Sequence, residues 1–257
     1  MTGDGAVLIA QISDLHVGIV AGDGALEARH RERLTRAVAR VAADVSGLAL
    51  LVASGDLVDH GAEEEYAFLL ELLDSFPAPC LLLPGNHDDA ATLATVLGRD
   101  SGFDQVADLG ALRVVALDSS HPGIPSGRLA PAQLAWLDAR LAEDDRPTVL
   151  ALHHPPLALG NPGMDAMALE EPAALGAVLD RHPHVARIVC GHVHRPVFAT
   201  FGGIGVAAAP SLAYQLVPDL DGTRGLQPAA EPAGYAVHRW HPADGLSTHV
   251  IAMPDPT

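Results

Sequence analysis

The chain has 257 residues, an ordinary apolar content of 49% and a formal charge of -17, so it is long enough to bury a full core as one large domain. No uninterrupted apolar run approaches the ~20 residues that a membrane-spanning helix needs, and the acidity opposes a long polyanionic partner, whose binding rests on many phosphate–cation contacts. All 15 basic residues are arginine, which excludes Schiff-base chemistry and a P-loop lysine; a small anion can still be held where a local cationic site outweighs the global field.

Met1 to Gly5 carry no basic segment ahead of the first apolar run, so no signal peptide is expected. Ala6–Ser13 reads as a first strand running into Asp14-Leu15-His16. Residues two apart on an extended backbone point to the same side, so Asp14 and His16 can converge. A helix follows from about Glu27 to Val45, with Leu34, Val38, Val41, Ala42 and Val45 at helical spacing. Within Leu48–Asp59 a short continuous apolar run stops at Ser54-Gly55-Asp56. A run of that kind suits a strand buried on both faces, and Asp56 then sits at its carboxyl end, where open α/β sheets bind ligands.

Glu63 to Leu73 reads as a helix with Tyr66, Leu69, Leu70 and Leu73 inward, and Cys80–Leu83 as a strand stopped by Pro84-Gly85. Asn86-His87-Asp88-Asp89 follows, where either aspartate suits the cap of a helix beginning near Ala90. Leu112–Leu117 is a strand ending in Asp118-Ser119-Ser120-His121, and Ala130–Leu141 a helix with Pro131 in its first turn. Thr148–Leu152 is a strand ending in His153-His154-Pro155-Pro156, whose prolines stiffen the loop. Glu171–Arg181 is helical, and the strand Val185–Cys190 breaks at Gly191 into His192-Val193-His194. Ile204–Ala209, Tyr235–Trp240 and Ser247–Ile251 read as short strands, and the loop Pro218–Gly234 is either mobile or a cover for the site. Cys80 and Cys190 both lie in strand-like contexts and read as buried thiols of a reducing, cytoplasmic compartment. With no linker, repeat or low-complexity tract in view, one domain is expected over residues 1–257.

Asp14, His16, Asp56, Asn86, His153, His192 and His194 therefore gather at five strand ends. Imidazole nitrogen together with carboxylate and amide oxygen suits divalent Mn, Fe, Co or Zn, and the lack of cysteine ligands opposes a structural zinc site. Seven ligands exceed one tetrahedral ion but suit two ions that share a carboxylate.

The series Asp14-x-His16, Gly55-Asp56, Gly85-Asn86-His87-Asp88, His153 and Gly191-His192-x-His194 resembles the motif set of the calcineurin-like metallophosphoesterases. The Ile12-Ser13-Asp14 start and the His153-His154-Pro155-Pro156-Leu157 loop are most similar to the bacterial branch holding class III cyclic nucleotide phosphodiesterases and glycerophosphodiesterases. The resemblance spans about Ala6 to Arg195, leaving residues 196–257 as C-terminal strands and loop. It implies a four-layer α-β-β-α sandwich whose β-rich C-terminus completes the second sheet. It also implies a first metal on Asp14, His16, Asp56 and His194, and a second on Asp56, Asn86, His153 and His192, with Asp56 bridging.

The expected activity is hydrolysis of small phosphodiesters, either glycerophosphodiesters or 3',5'- or 2',3'-cyclic nucleotides, with a metal-bound hydroxide as nucleophile. Two divalent ions exceed the charge of Asp14, Asp56 and one hydroxide, and that surplus draws in a diester monoanion. His87 is the expected proton donor to the leaving alkoxide, with Asp88 orienting it, and Asn86, His87 and His194 are the expected substrate contacts. His154 is either support for the ligands or a polar residue beneath the loop. A phosphomonoesterase, which commonly adds arginine clamps, ranks lower because only Arg195 adjoins a ligand motif. A non-catalytic scaffold would be expected to have lost ligands. Pocket walls are expected from Leu15–Gly22, His60, Ser119–Gly127, Leu157–Asp165 and Tyr214–Gly234. Little chain follows the last strand, so no long C-terminal arm is expected, and a homodimer or higher homo-oligomer is left open.

Overall fold

A computed structural model of the chain describes residues 5–20, 22–99 and 102–253; Met1–Asp4, and Ala21 in the expected wall 15–22, lie outside them. The first half of the chain holds β1 (Val7–Ile12), α1 (Gly24–Asp44), β2 (Leu50–Ser54), α2 (Glu63–Asp74), β3 (Cys80–Leu83) and α3 (Ala90–Val96). The middle holds β4 (Gln105–Asp108), β5 (Arg113–Ala116), α4 (Pro131–Leu141), β6 (Thr148–Ala151), α5 (Pro162–Asp165), α6 (Pro172–Leu179) and β7 (Val185–Cys190). The last part is β8 (Val197–Phe201), β9 (Ile204–Ala208), β10 (Gln215–Leu216), β11 (Pro228–Ala229), β12 (Ala233–His241) and β13 (Gly245–Met253).

One sheet has the order β13-β12-β1-β2-β3 and the other β4-β5-β6-β7-β9-β8. β1, β2 and β3 are parallel, as are β5, β6, β7 and β9. The two-residue period of a strand distributes the core. Val114, Ala116, Val149, Ala151 and Val189 pack with the first sheet, whereas their neighbours Val115, Leu117, Leu150, Leu152, Ile188 and Cys190 pack with Leu137, Leu141, Leu175 and Leu179 of α4 and α6. The first sheet's outer face takes Leu34, Val38 and Val41 of α1, Tyr66 and Leu69 of α2, and Leu93 of α3. The result is the expected α-β-β-α sandwich. Both sheets are covered twice, which is why β2 and β5 are buried at every position.

Local signals start the helices. Asp23 caps α1 by accepting from the Ala25 and Leu26 N–H groups, and Pro131 opens α4 at a position whose N–H has no helical partner. Asp89 caps α3 through Thr92 N–H at 2.7 Å, leaving Asp88 for other work. A buried polar clasp joins the sheets: the Gln11 amide donates to Ser54 Oγ and to Cys190 O, both at 2.8 Å, and its Oε1 accepts from His238 Nε2 at 3.0 Å.

Three expectations change. Cys80 is exposed, because β3 is the last strand of its sheet and Cys80 is its first residue; Cys190 is buried as expected. Of the C-terminal strands, β9 with its partner β8 completes the second sheet, but β12 and β13 extend the first beside β1. Tyr235 and Val237 are the reason: they belong to the first sheet's core, and the Tyr235 hydroxyl donates to Asp44 at the end of α1. β4 and β8 went unanticipated because their positions alternate between half-buried and exposed and form no continuous apolar run.

Candidate metal centre

β1, β2, β3, β6 and β7 all deliver their chains to the same rim of the sandwich. Six non-glycine residues among those described have positive φ: Asp14, His16, Asp56, Glu171, His192 and His194. Five of the six are expected ligands. Each such conformation costs about 1–3 kcal/mol and persists only where the surroundings enforce it. Here the strand-end loops are laced together: Asp14 N–H donates to Gly55 O at 3.0 Å, His16 N–H to Asp56 O at 3.0 Å and Asp59 N–H to Val17 O at 2.8 Å. Close approach also dictates two glycines. A Cβ on Gly85 would collide with the Asp56 carboxylate and backbone, and one on Gly191 with Ser13 Oγ.

Asp14, His16, Asp56 and His194 each offer a ligand atom within 4.8 Å of the others, and all four are buried. His16 Nδ1 donates to Asp59 Oδ1 at 2.7 Å and His194 Nδ1 to Tyr214 O at 2.9 Å. Both rings are thereby left with Nε2 lone pairs, and those atoms face each other at 3.1 Å. Two lone pairs so placed repel unless a cation lies between them. An imidazole anchored through one nitrogen to a carboxylate or carbonyl is the usual arrangement of a metal ligand.

Asp56 stands between two clusters, its Oδ2 3.6 Å from His16 Nε2 and its Oδ1 3.4 Å from His153 Nε2. His153 Nδ1 donates to Ser54 O at 2.8 Å. His153 Nε2, His192 Nε2 and Asn86 Oδ1 are buried without a hydrogen-bond partner. Three such orphans in one place are costly, and each is an atom expected on the second metal. The donor set fits a pair of divalent ions on this observation alone.

Electrostatics favour positive charge beside Asp56 and neutral imidazoles at His192 and His194. Burial disfavours charge on His153, but the Asp56 carboxylate overrides it and raises the imidazole to about 9. Burial lowers His192 to about 3 and also lowers His194, so both stay neutral and able to ligate. Burial opposes ionisation of Asp56, yet His153, His16 and His87 hold its carboxyl well below the usual range.

His87 stands at the mouth, its side chain 42% exposed, with Nδ1 3.4 Å from Asp59 Oδ1 and its N–H donating to Asp56 Oδ1 at 3.0 Å. The hydrogen bond to Asp59 raises His87 to about 9. The expected partner, Asp88, is turned elsewhere. Its carboxylate accepts the Gly85, Leu57 and Val58 N–H groups and the Tyr66 hydroxyl, so it fixes the β2 and β3 loops to each other. Asp59 takes its place; it lies three residues after Asp56, and that spacing was its only sequence signal. His154 uses both nitrogens on protein, accepting from Ser119 Oγ at 2.9 Å and donating to Pro125 O at 3.2 Å. With no lone pair spare, it supports the loop that follows β5.

A cleft of about 650 Å³ opens on the centre, with Asp56, Asn86, His87, His192 and His194 on one side. Ile19, Met164, Met167, Tyr214 and Leu226 face them as an apolar wall, and among the described residues no arginine lines the cleft. His60, expected in the wall, pairs instead with Glu65 at 3.0 Å. Arg195 turns away to Glu231 at 3.0 Å and to Leu216 O. The 218–234 loop covers the site: buried Asp219 accepts the Thr223, Arg224 and Gly225 N–H groups, which sets Leu226 and Pro228 against the cleft.

Residues 7–196 match the family model described as calcineurin-like phosphoesterase. The chain is similar to the 3',5'-cyclic adenosine monophosphate phosphodiesterase CpdA of Escherichia coli K12, 32% identical over 222 residues that cover 85% of this chain and 80% of the relative. A probable cyclic nucleotide phosphodiesterase of Synechococcus is 35% identical over 256 residues, covering 96% and 97%. The glycerophosphodiester phosphodiesterase GpdQ of Enterobacter lignolyticus is 38% identical over 175 residues, covering 65% and 63%. In fold, the chain is similar to a dimetal phosphatase from Danio rerio, with a TM-score of 0.66, 15% identity and 96% and 99% coverage.

Proposed function

The chain belongs to the calcineurin-like phosphoesterase family, and on that premise we propose that it is a metal-dependent phosphodiesterase of small diesters. The proposed substrates are 3',5'- or 2',3'-cyclic nucleotides and glycerophosphodiesters; 3',5'-cyclic adenosine monophosphate, cyclic nucleotides and glycerophosphodiesters are the classes named for its relatives. Asp14, His16, Asp56 and His194 would hold one divalent ion, and Asp56, Asn86, His153 and His192 a second, drawn from Mn, Fe, Co and Zn. The observation that carries this reading is the trio of orphaned atoms Asn86 Oδ1, His153 Nε2 and His192 Nε2 around a carboxylate shared with the Asp14 cluster. When bound, such ions lower the pKa of water and stabilise both oxygens of an in-line displacement.

The residues of the chain supply the rest. Asn86 and His194 border the phosphoryl group, and the Ile19, Met164 and Tyr214 wall takes the apolar part of the alcohol and excludes water. His87, held protonated by Asp59, gives its proton from Nε2 to the departing alkoxide. A cleft without arginine suits a diester monoanion better than a monoester dianion. The test is a hydrolysis panel of cyclic nucleotides, glycerophosphodiesters and monoesters with each of the four metals. Metal-dependent cleavage of diesters is expected; cleavage of monoesters alone, or no metal-dependent hydrolysis, overturns the reading.

A further inference from the structure

A second groove of about 640 Å³ lies on the far side of Ile19 and Tyr214, two residues that also line the catalytic cleft. Its other wall is α1, which presents Arg29, Arg33 and Arg36 at helical spacing. In a chain of charge -17, three guanidiniums against one lining carboxylate among the described residues, Glu32, form a local reversal of the field. Arg29 and Arg36 are lightly engaged. Arg36 pairs with Glu32 at 3.0 Å on an exposed helix surface, where such a pair contributes little. Arg33 reaches across to Ala213 O and the His30 ring, which braces the segment that carries Tyr214. Arg29 is exposed and makes no hydrogen bond or ion pair among the described residues.

The groove is built against the catalytic loop itself. Buried His30, in its lining, donates to the carbonyls of Leu15 and His16, each at 3.1 Å. The Tyr214 ring stands 4.4 Å from His194 and 5.8 Å from His16, centre to centre, so it is the post between the two spaces. Burial pushes the Tyr214 hydroxyl up to about 12, leaving it a donor at neutral pH.

We infer that the Arg29–Arg33–Arg36 groove is an anion subsite of the same active site, and that it receives a second phosphate carried by the alcohol part of a phosphodiester substrate. The inference rests on the phosphodiesterase reading and narrows its substrate class. The diester phosphate lies at the metal centre, the linking part passes over Ile19 and Tyr214, and the pendant phosphate meets the guanidiniums, whose planar forks suit it.

The test uses metal-loaded full chain with a matched pair, the dinucleotide ApA and its 5'-phosphorylated form pApA, and with bis(4-nitrophenyl) phosphate as a diester without pendant charge. The wild type should prefer pApA. In the double variant Arg29→Ala, Arg36→Ala, both at exposed positions, the KM for pApA should rise about tenfold while kcat stays within a factor of two. Constants for ApA and for the aryl diester should not move. Equal KM values for ApA and pApA in the wild type, or an equal effect of the variant on both, overturn the subsite alone. Failure of the wild type to hydrolyse the aryl diester with any metal overturns the parent reading and the subsite with it.

Discussion

At the scale of single residues, replacing His87 tests the proposed proton transfer apart from metal binding. His87 contacts the Asp56 carboxylate through its backbone N–H. His87→Ala should therefore lower kcat about 10²–10³-fold on diesters with poor leaving groups. It should do far less on 4-nitrophenyl esters, whose leaving group needs no proton, and metal content by atomic absorption should stay near the wild-type value. Asp59 works at one remove, holding His16 Nδ1 at 2.7 Å. Burial would raise its carboxyl, but hydrogen bonds from His16 and His87 hold it below the usual range. Asp59→Asn should weaken metal affinity about 10–100-fold, read by titration with a metal indicator, and should flatten the His87-dependent limb of the pH profile.

At the scale of elements, β1 and β12 carry a buried polar link that titrates. His238 donates to Gln11 Oε1 and accepts from Thr248 Oγ1, and burial lowers it from 6.5 to about 3. The fold keeps this histidine neutral, whereas the unfolded chain protonates it below about pH 6.5. The unfolded state thus binds the extra proton, and stability must fall as pH drops from 6.5 towards 3. The slope from this group is at most about 1.4 kcal/mol per pH unit. Urea unfolding across that range should show a shallower acid loss in His238→Gln than in the wild type; parallel curves would remove His238 from the account. Elements also limit what is readable from sequence. β2, β3 and β7 announce themselves as apolar runs because their faces are covered, while β4 and β8, whose positions alternate between half-buried and exposed, do not.

At the scale of the whole molecule, the centre is where the two sheets and the C-terminal loop meet. Its strained backbone and orphaned imidazoles make the metal-free rim costly, so ligation should contribute to folding. Chelation followed by thermal unfolding should lower Tm, and Mn or Zn at 100 times the dissociation constant should restore about 2.7 kcal/mol. An unchanged Tm would mean that the rim is stable without ions.

The amino-acid sequence by itself determined the buried strands and the seven metal-competent side chains at their ends, while the four-layer arrangement followed from the resemblance of those motifs to a known family. A buried parallel strand must read as an apolar run and its carboxyl end must stop in a turn. Gly55-Asp56 and Gly191-His192 are legible for that reason. Tertiary structure alone decided that Asp59, not Asp88, faces His87, that His154 has no lone pair to offer, and that Tyr214 stands between two grooves. Those outcomes depend on which loops touch across the rim, on contacts between residues up to about 200 positions apart, such as the Ser211 hydroxyl donating to Asp14 O. Local sequence sets where a chain turns; what a side chain meets after the turn is set by the rest of the fold.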